Sequence, residues 1–134
     1  MKRVTIVTAA SLLASLFAVT AQADGDAARG EGRFQECAAC HKLGAGANEV
    51  GPSLHGIFSR KAGELADFRY SPAMRRSGIG WTPETLDKYI ADPQAFIPAN
   101  RMPYAGMSNA SDRADLIAYL QKATQWMPAP PRFV

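Results

Sequence analysis

Two cysteines and one histidine lie within five consecutive residues of the chain. Cys37 and Cys40 are its only cysteines, and His41 directly follows the second. On a helical turn, residues three apart share a face, so both thiols can bond to one planar group while the imidazole lies against it. This C-x-x-C-H spacing is typical of covalent haem attachment, in which the thiols bind two vinyl groups and the histidine binds the iron.

Three other uses of paired cysteines fit the sequence less well. A structural disulfide is common in exported proteins, but it does not require a histidine beside the second cysteine. A thioredoxin-like redox pair needs a preceding strand, whereas residues 26–34 are helix-forming and contain no β-branched run. A zinc site needs four ligands, and only His41 and His55 could join the two thiols, with His55 in a turn flanked by Pro and Gly. Haem attachment is therefore the preferred interpretation.

The first 23 residues have the pattern of a secretory signal peptide. Lys2 and Arg3 precede an uncharged apolar stretch, residues 4–19, and residues 21–23 read Ala-Gln-Ala, the small-x-small form of a cleavage site. An uncleaved membrane anchor is the competing interpretation, but the stretch is marginal in length and interrupted by Thr and Ser. We expect cleavage, export to the periplasm, no permanent membrane anchor, and a mature chain of residues 24–134.

Length and charge restrict the class of protein. The 134 residues, 47% of them apolar, suit one small domain. Removing Lys2 and Arg3 leaves 13 basic and 12 acidic side chains, so the formal charge falls from +3 to +1. A chain with so little excess positive charge is not expected to bind nucleic acid.

The two ends of the mature domain predict helices that pack together. The segment Asp24-Gly25-Asp26 offers an N-cap for a helix in which Gly30 and Phe34 share a face, the glycine allowing close approach. Near the C-terminus, residues 111–124 predict a second helix with Ser111 as N-cap. Its apolar stripe consists of Leu116, Ile117 and Leu120, with Tyr119 beside it.

Between these helices the sequence predicts two shorter ones and a long loop. Ser71 before Pro72 opens a helix that ends at Gly78, and Thr82 before Pro83 opens another that Asp92-Pro93 stops. The second helix directs Leu86, Tyr89 and Ile90 inward. No strand pattern appears, so the predicted class is all-α. The following segment, residues 93–106, is rich in Pro and Gly and contains Met102, whose place in a loop suits a ligand better than a core residue.

The mature chain resembles the class I cytochromes c, the soluble bacterial and mitochondrial-type carriers, over nearly all of residues 25–124. The matching blocks are Gly25-Asp26 with Gly30 and Phe34, Cys37-Ala38-Ala39-Cys40-His41, Gly51-Pro52-Ser53-Leu54-His55-Gly56, Arg60-Lys61, Tyr70-Ser71, Gly78-Ile79-Gly80-Trp81, Tyr89-Ile90, Ile97-Pro98, Met102-Pro103-Tyr104-Ala105-Gly106 and Arg113-Ala114-Asp115-Leu116-Ile117-Ala118-Tyr119-Leu120. The resemblance implies a small cytochrome c fold, with N- and C-terminal helices packed crosswise around one covalently bound haem c.

The resemblance also implies a role for each candidate site residue. Cys37 and Cys40 would hold the haem, and His41 and Met102 would be the axial iron ligands. The Pro52 carbonyl would contact His41, and Tyr89 would lie near the Met102 sulfur. The propionates would be surrounded by Arg60, Tyr70 and Trp81. A His/Met pair leaves the iron six-coordinate and raises its reduction potential. Electron transfer is therefore expected, and enzymatic activity is not. Met74, Met107 and Met127 are alternative thioether ligands.

The implied function is that of a monomeric one-electron carrier between membrane-bound complexes. Its implied partners are a cytochrome bc-type complex and a terminal oxidase or reaction centre. Where the family often has lysines around the exposed haem edge, this chain has Gln35, Gln94, Ala95, Ser108 and Asn109. Two alternatives stay open: a haem enzyme or small-gas binder, if Met102 is labile, and a subunit held in a complex by its N-terminal segment or by the Pro- and aromatic-rich extension at residues 125–134.

Overall fold

The computed structural model describes residues 24–125, which form a helical domain. Five α-helices follow one another: α1 (Ala27–Ala38), α2 (Pro72–Arg76), α3 (Pro83–Ala91), α4 (Pro93–Phe96) and α5 (Ala110–Ala123), with a short 3-10 helix at Ile57–Ser59. No strand forms within the described residues, where β pairing is limited to one bridge between Lys61 and Gly80. The predicted all-α class is confirmed. The predicted signal peptide and residues 126–134 of the extension lie outside the described part of the chain.

Polar side chains begin most of these helices. The Asp26 carboxylate accepts hydrogen bonds from the Ala28 and Arg29 amides, and the Ser71 hydroxyl accepts one from the Met74 amide. Thr82 and Thr85 form a reciprocal capping box at the start of α3. These caps satisfy amide groups that have no partner inside the helix. Across residues 24–125, none of the helices is both long and apolar enough to cross a membrane.

Three predicted boundaries were wrong. Helix α5 is capped by Asn109 and not by Ser111, because the Asn109 side chain accepts hydrogen bonds from two amides, one of them that of Ser111 itself. Helix α2 ends at Arg76, two residues before Gly78, whose φ is +66°. The segment after Asp92 is not entirely loop, since the Asp92 carboxylate accepts a hydrogen bond from the Ala95 amide and caps α4.

Helices α1 and α5 meet without side chains between their backbones. A Cβ atom added to Gly30 would lie 1.9 Å from the Asp115 carbonyl oxygen, and one added to Gly25 would lie 2.0 Å from that of Ala114. Beside this contact, the rings of Phe34 and Tyr119 pack with centroids 5.6 Å apart. Only glycine permits such an approach of two backbones, as the sequence predicted for Gly30.

An ion pair fixes the same crossing. The Arg29 guanidinium donates to both oxygens of Asp115, at 2.7 and 2.9 Å, and the Asp26 amide donates to Asp115 at 2.6 Å. Asp115 is almost fully buried, with 3% of its surface exposed. The hydrogen bond from Arg29 lowers the pKa of this carboxyl, so Asp115 stays ionised. A buried carboxylate of this kind is stable only because all its partners are present.

Helix α5 is also hydrogen-bonded to α3 and to the loop that precedes α5. The Arg113 guanidinium donates to Asp87 of α3 at 2.7 Å and to the Met107 carbonyl at 2.8 Å. The Met107 amide in turn donates to the Ile90 carbonyl of α3 at 2.7 Å. The loop before α5 is thereby anchored to α3, and with it the segment that contains Met102.

We expect Gly30→Ala to lower the free energy of unfolding by about 1–3 kcal/mol, the usual cost of overpacking a tight contact. Its methyl group would force α1 away from the Asp115 backbone. Gly32→Ala is the matched control, because nothing lies within 4 Å of that position and Gly32 is exposed; it should be neutral or stabilising by up to about 1 kcal/mol. Denaturant unfolding of both variants gives the comparison, and equal effects would contradict the close helix contact.

Candidate functional site

The cysteine-histidine motif spans the end of helix α1. Cys37 lies in the last turn of the helix, and Cys40 and His41 follow in a turn whose amides both donate to the Cys37 carbonyl, at 3.1 and 2.9 Å. The helical path therefore continues far enough to bring the two thiols and the imidazole together. The thiols are half-buried and not joined to each other. Burial raises the pKa of the Cys37 thiol to about 11.

The imidazole of His41 is held in one orientation. Its Nδ1 lies 2.8 Å from the Pro52 carbonyl oxygen, which can only accept, so Nδ1 carries the proton and donates. This tautomer leaves the lone pair of Nε2 free to bind a metal. Burial lowers the pKa of His41 despite the opposing effect of the Pro52 hydrogen bond, so the neutral ring is favoured.

Gly51 makes room for this ring. A Cβ atom at position 51 would lie 2.5 Å from His41 Cε1 and 2.7 Å from Nδ1. The Gly51 amide donates to the Cys40 carbonyl at 2.8 Å, which ties the two segments together beside the ring. Any larger residue at position 51 would displace the imidazole from the Pro52 carbonyl.

Arg60 and Tyr70 lie next to the Pro52 turn. One terminal nitrogen of the Arg60 guanidinium donates to the Ser53 carbonyl, and the other lies 3.3 Å from the Tyr70 hydroxyl. The Nε of Arg60 is buried and has no hydrogen-bond partner among the described residues. Since a buried cationic donor is costly without a partner, this nitrogen fits an anionic group supplied from outside the polypeptide. A haem propionate is such a group.

Trp81, Tyr89 and Met102 form a second cluster. Trp81 and Tyr89 are buried, with ring centroids 5.1 Å apart. The Tyr89 hydroxyl donates to the Met102 sulfur at 3.5 Å, and burial raises the pKa of Tyr89 to about 12, so the donor remains protonated. The Trp81 amide donates to the Arg60 carbonyl at 3.1 Å and links this cluster to the first.

Asn100 is a site residue that the sequence analysis missed. It is buried, and its amide nitrogen donates to the Pro93 and Ile97 carbonyls at 2.7 and 2.9 Å. Its side-chain oxygen accepts from the Met102 amide at 2.8 Å. An asparagine two residues before a methionine in a Pro-rich loop was the available signal, since such side chains commonly bond to local backbone groups.

The structure thus brings the predicted site residues into two linked groups. His41, Pro52, Arg60 and Tyr70 form one, and Trp81, Tyr89 and Met102 form the other. The donor set suits a haem: two free thiols, an imidazole with a free Nε2, a thioether, and an unpaired guanidinium nitrogen. Residues 24–125 therefore fit the cofactor that the motif predicts.

Comparison with known proteins agrees with this site. The family model for cytochrome c matches residues 27–124. The chain is 51% identical over 88 residues to cytochrome c2 iso-2 of Magnetospirillum fulvum, covering 66% of this chain and 92% of that protein. It is 46% identical over 112 residues to cytochrome c2 of Blastochloris viridis, covering 83% and 86% of the two chains. The structure of cytochrome cH from Methylobacterium extorquens matches with a TM-score of 0.69 and 41% identity, covering 73% of this chain and 99% of the other.

The chain belongs to the cytochrome c family. The predicted family and small all-α fold are thereby confirmed, as is the predicted function of an electron carrier. The protein carries covalently attached haem c, whose iron accepts and releases one electron. Its polypeptide has to hold that group in one orientation and keep its surroundings constant.

We expect Asn100→Ala to loosen the Met102 segment, because it removes the four hydrogen bonds of the Asn100 side chain. Two are donated to the Pro93 and Ile97 carbonyls, and two are accepted, from the Met102 amide and from the Tyr89 hydroxyl at 3.4 Å. The free energy of unfolding should fall by about 2 kcal/mol or more. Asn100→Asp is the informative companion, since it keeps the acceptor for the Met102 amide and loses the two donors. The far-red absorption that marks methionine bound to ferric haem should weaken more in the alanine variant than in the aspartate variant. Equal absorption in both would contradict the orienting role of the Asn100 oxygen.

Proposed function

We propose that His41 and Met102 are the two axial ligands of the haem iron. The supporting observation is that each candidate ligand has its own hydrogen bond, from His41 Nδ1 to the Pro52 carbonyl and from the Tyr89 hydroxyl to the Met102 sulfur. Such second partners fix the orientation of a ligand and tune its basicity. A thioether ligand favours the ferrous state, so the carrier should have a high reduction potential relative to a bis-histidine haem.

The propionates are assigned to the Arg60 side of the site. Arg60 supplies a half-buried cation, and its buried Nε, unpaired among the described residues, is the clearest available donor. The Tyr70 hydroxyl and the indole nitrogen of Trp81 complete the set of donors. Charge-assisted hydrogen bonds of this kind are stronger than neutral ones, which compensates for the burial of charged propionates.

The same ligand set argues against a haem enzyme. A peroxidase or small-gas binder needs an open iron position, which here would require Met102 to be labile. Met102 is instead held at two of its own atoms. Its amide donates to the Asn100 side-chain oxygen, and its sulfur accepts a hydrogen bond from the Tyr89 hydroxyl. The proposed role is therefore electron transfer without catalysis.

The proposed setting is the periplasm, with the protein as a monomeric carrier between membrane-bound complexes. Export rests on the signal pattern in residues 1–23. The proposed donor is a cytochrome bc-type complex, and the proposed acceptor is a terminal oxidase or reaction centre. Gln35, Gln94, Ala95, Ser108 and Asn109 are all exposed, which supports a docking rim of low charge.

We expect Met102→Ala to abolish the far-red absorption of the ferric protein that marks a methionine–iron bond. Axial ligands set haem potentials over a range of about 0.8 V, so the reduction potential should fall by on the order of 0.1 V. Met107→Leu and Met74→Leu are matched controls, because both methionines are buried and leucine nearly conserves their volume. They should keep the absorption. If Met102→Ala retained it and either control lost it, the ligand assignment would be wrong.

Reduction by a purified cytochrome bc-type complex should depend only weakly on salt. Between about 0.01 and 0.15 M ionic strength, the Debye length falls from about 30 to about 8 Å. We expect the second-order rate constant to change by less than about threefold over this range, because the rim carries few charges. A Gln35→Lys/Gln94→Lys variant should show a steeper dependence. A steep fall in the unmodified protein would contradict the low-charge rim.

A further inference from the structure

The loop that contains Met102 is held at both ends but lacks backbone hydrogen bonds along its middle. Before the methionine, Asn100 is bonded to the Pro93 and Ile97 carbonyls. After it, the Met107 amide donates to the Ile90 carbonyl, and a Cβ atom at Gly106 would lie 2.3 Å from the Ala91 carbonyl oxygen. Both anchors fasten the loop to the α3–α4 region, on one side of the site.

Between these anchors, residues 103–106 make no backbone hydrogen bond to other described residues. Pro103 has no amide proton to donate. A loop segment without backbone partners is easily displaced, because few interactions must break when it moves. The position of Met102 therefore depends on what the side chains of this segment contact.

One side chain supplies that contact. The Tyr104 hydroxyl donates to the Glu36 carboxylate at 2.9 Å, across 68 residues of sequence. Glu36 is in the last turn of α1, directly before Cys37, and Tyr104 is two residues after Met102. This bond joins the helix that bears the cysteine motif to the loop that bears the methionine, whereas Asn100 ties the same loop to Pro93 and Ile97.

We propose that Tyr104 and Glu36 form a clasp that positions Met102, so that the hydrogen bond between them resists displacement of the methionine from the iron. The inference rests on the proposed role of Met102 as axial ligand. Tyr104 and Glu36 are positioning residues that act through the loop. Hydrogen bonds to charged acceptors are stronger than neutral ones, but this one is exposed to solvent, so a moderate effect is expected.

The test is the binding of imidazole to the ferric holoprotein, measured as loss of the far-red absorption that marks the methionine–iron bond. Tyr104→Phe keeps the ring and removes the hydroxyl, and it should raise the apparent affinity for imidazole about fivefold. Tyr119→Phe is the control for loss of a hydroxyl on another half-buried tyrosine. Glu31→Ala is the control for loss of an exposed carboxylate on α1. Both controls should bind imidazole as the unmodified protein does.

A double-mutant cycle separates the clasp from two independent effects. Glu36→Ala should raise the affinity for imidazole by a factor similar to that of Tyr104→Phe. The double variant should bind imidazole only slightly more tightly than either single variant does. Glu36→Gln keeps an acceptor oxygen for the Tyr104 hydroxyl, so it should raise the affinity for imidazole less than Glu36→Ala does.

The clasp would be overturned if Tyr104→Phe left the affinity for imidazole unchanged. It would also be overturned if the fold-change of the double variant equalled the product of the two single fold-changes. Absence of the far-red absorption from the unmodified protein would instead overturn the assignment of Met102 as ligand, and the clasp with it. The two failures are therefore distinguished in one set of spectra.

Discussion

The backbone contact of Gly30 with Asp115 is the constraint on which the rest of the structure depends. It lets α1 and α5 pack without intervening side chains, and the buried carboxylate of Asp115 ties both to Arg29. The cysteine motif continues from α1, while α5 anchors α3 and the methionine loop through Arg113. His41 and Met102, more than sixty residues apart in sequence, are thus positioned by one helix crossing.

Around the haem, the polypeptide orients each functional group through a second residue. The Pro52 carbonyl fixes the tautomer of His41, and the Tyr89 hydroxyl contacts the Met102 sulfur. An electron carrier benefits from such fixed surroundings, because a ligand set that does not change on oxidation needs little reorganisation. Under the proposed assignment, the buried, unpaired Nε of Arg60 would hold a propionate in the same way.

The sequence predicted the features that depend on residue type at fixed spacing. The C-x-x-C-H motif, the close-packing Gly30 and the all-α class follow from local rules, and the family resemblance gave the order of the remaining site residues. It did not predict Asn100 or the Tyr104–Glu36 bond, because both depend on which distant backbone or side chain the loop meets after folding. The cap at Asn109 was missed for a smaller reason: two good capping residues lie two positions apart, and only the structure shows which one is in the extended conformation.

With His41 and Met102 as axial ligands, the haem iron would have no open position in the folded protein. Exposure of the ferrous unmodified protein to carbon monoxide tests this most directly, because carbon monoxide binds ferrous haem wherever an axial position is free or weakly held. We expect a ferrous spectrum that does not change on addition of the gas. Rapid spectral conversion to a carbon monoxide complex would contradict it, and would favour a protein that binds small molecules at its iron.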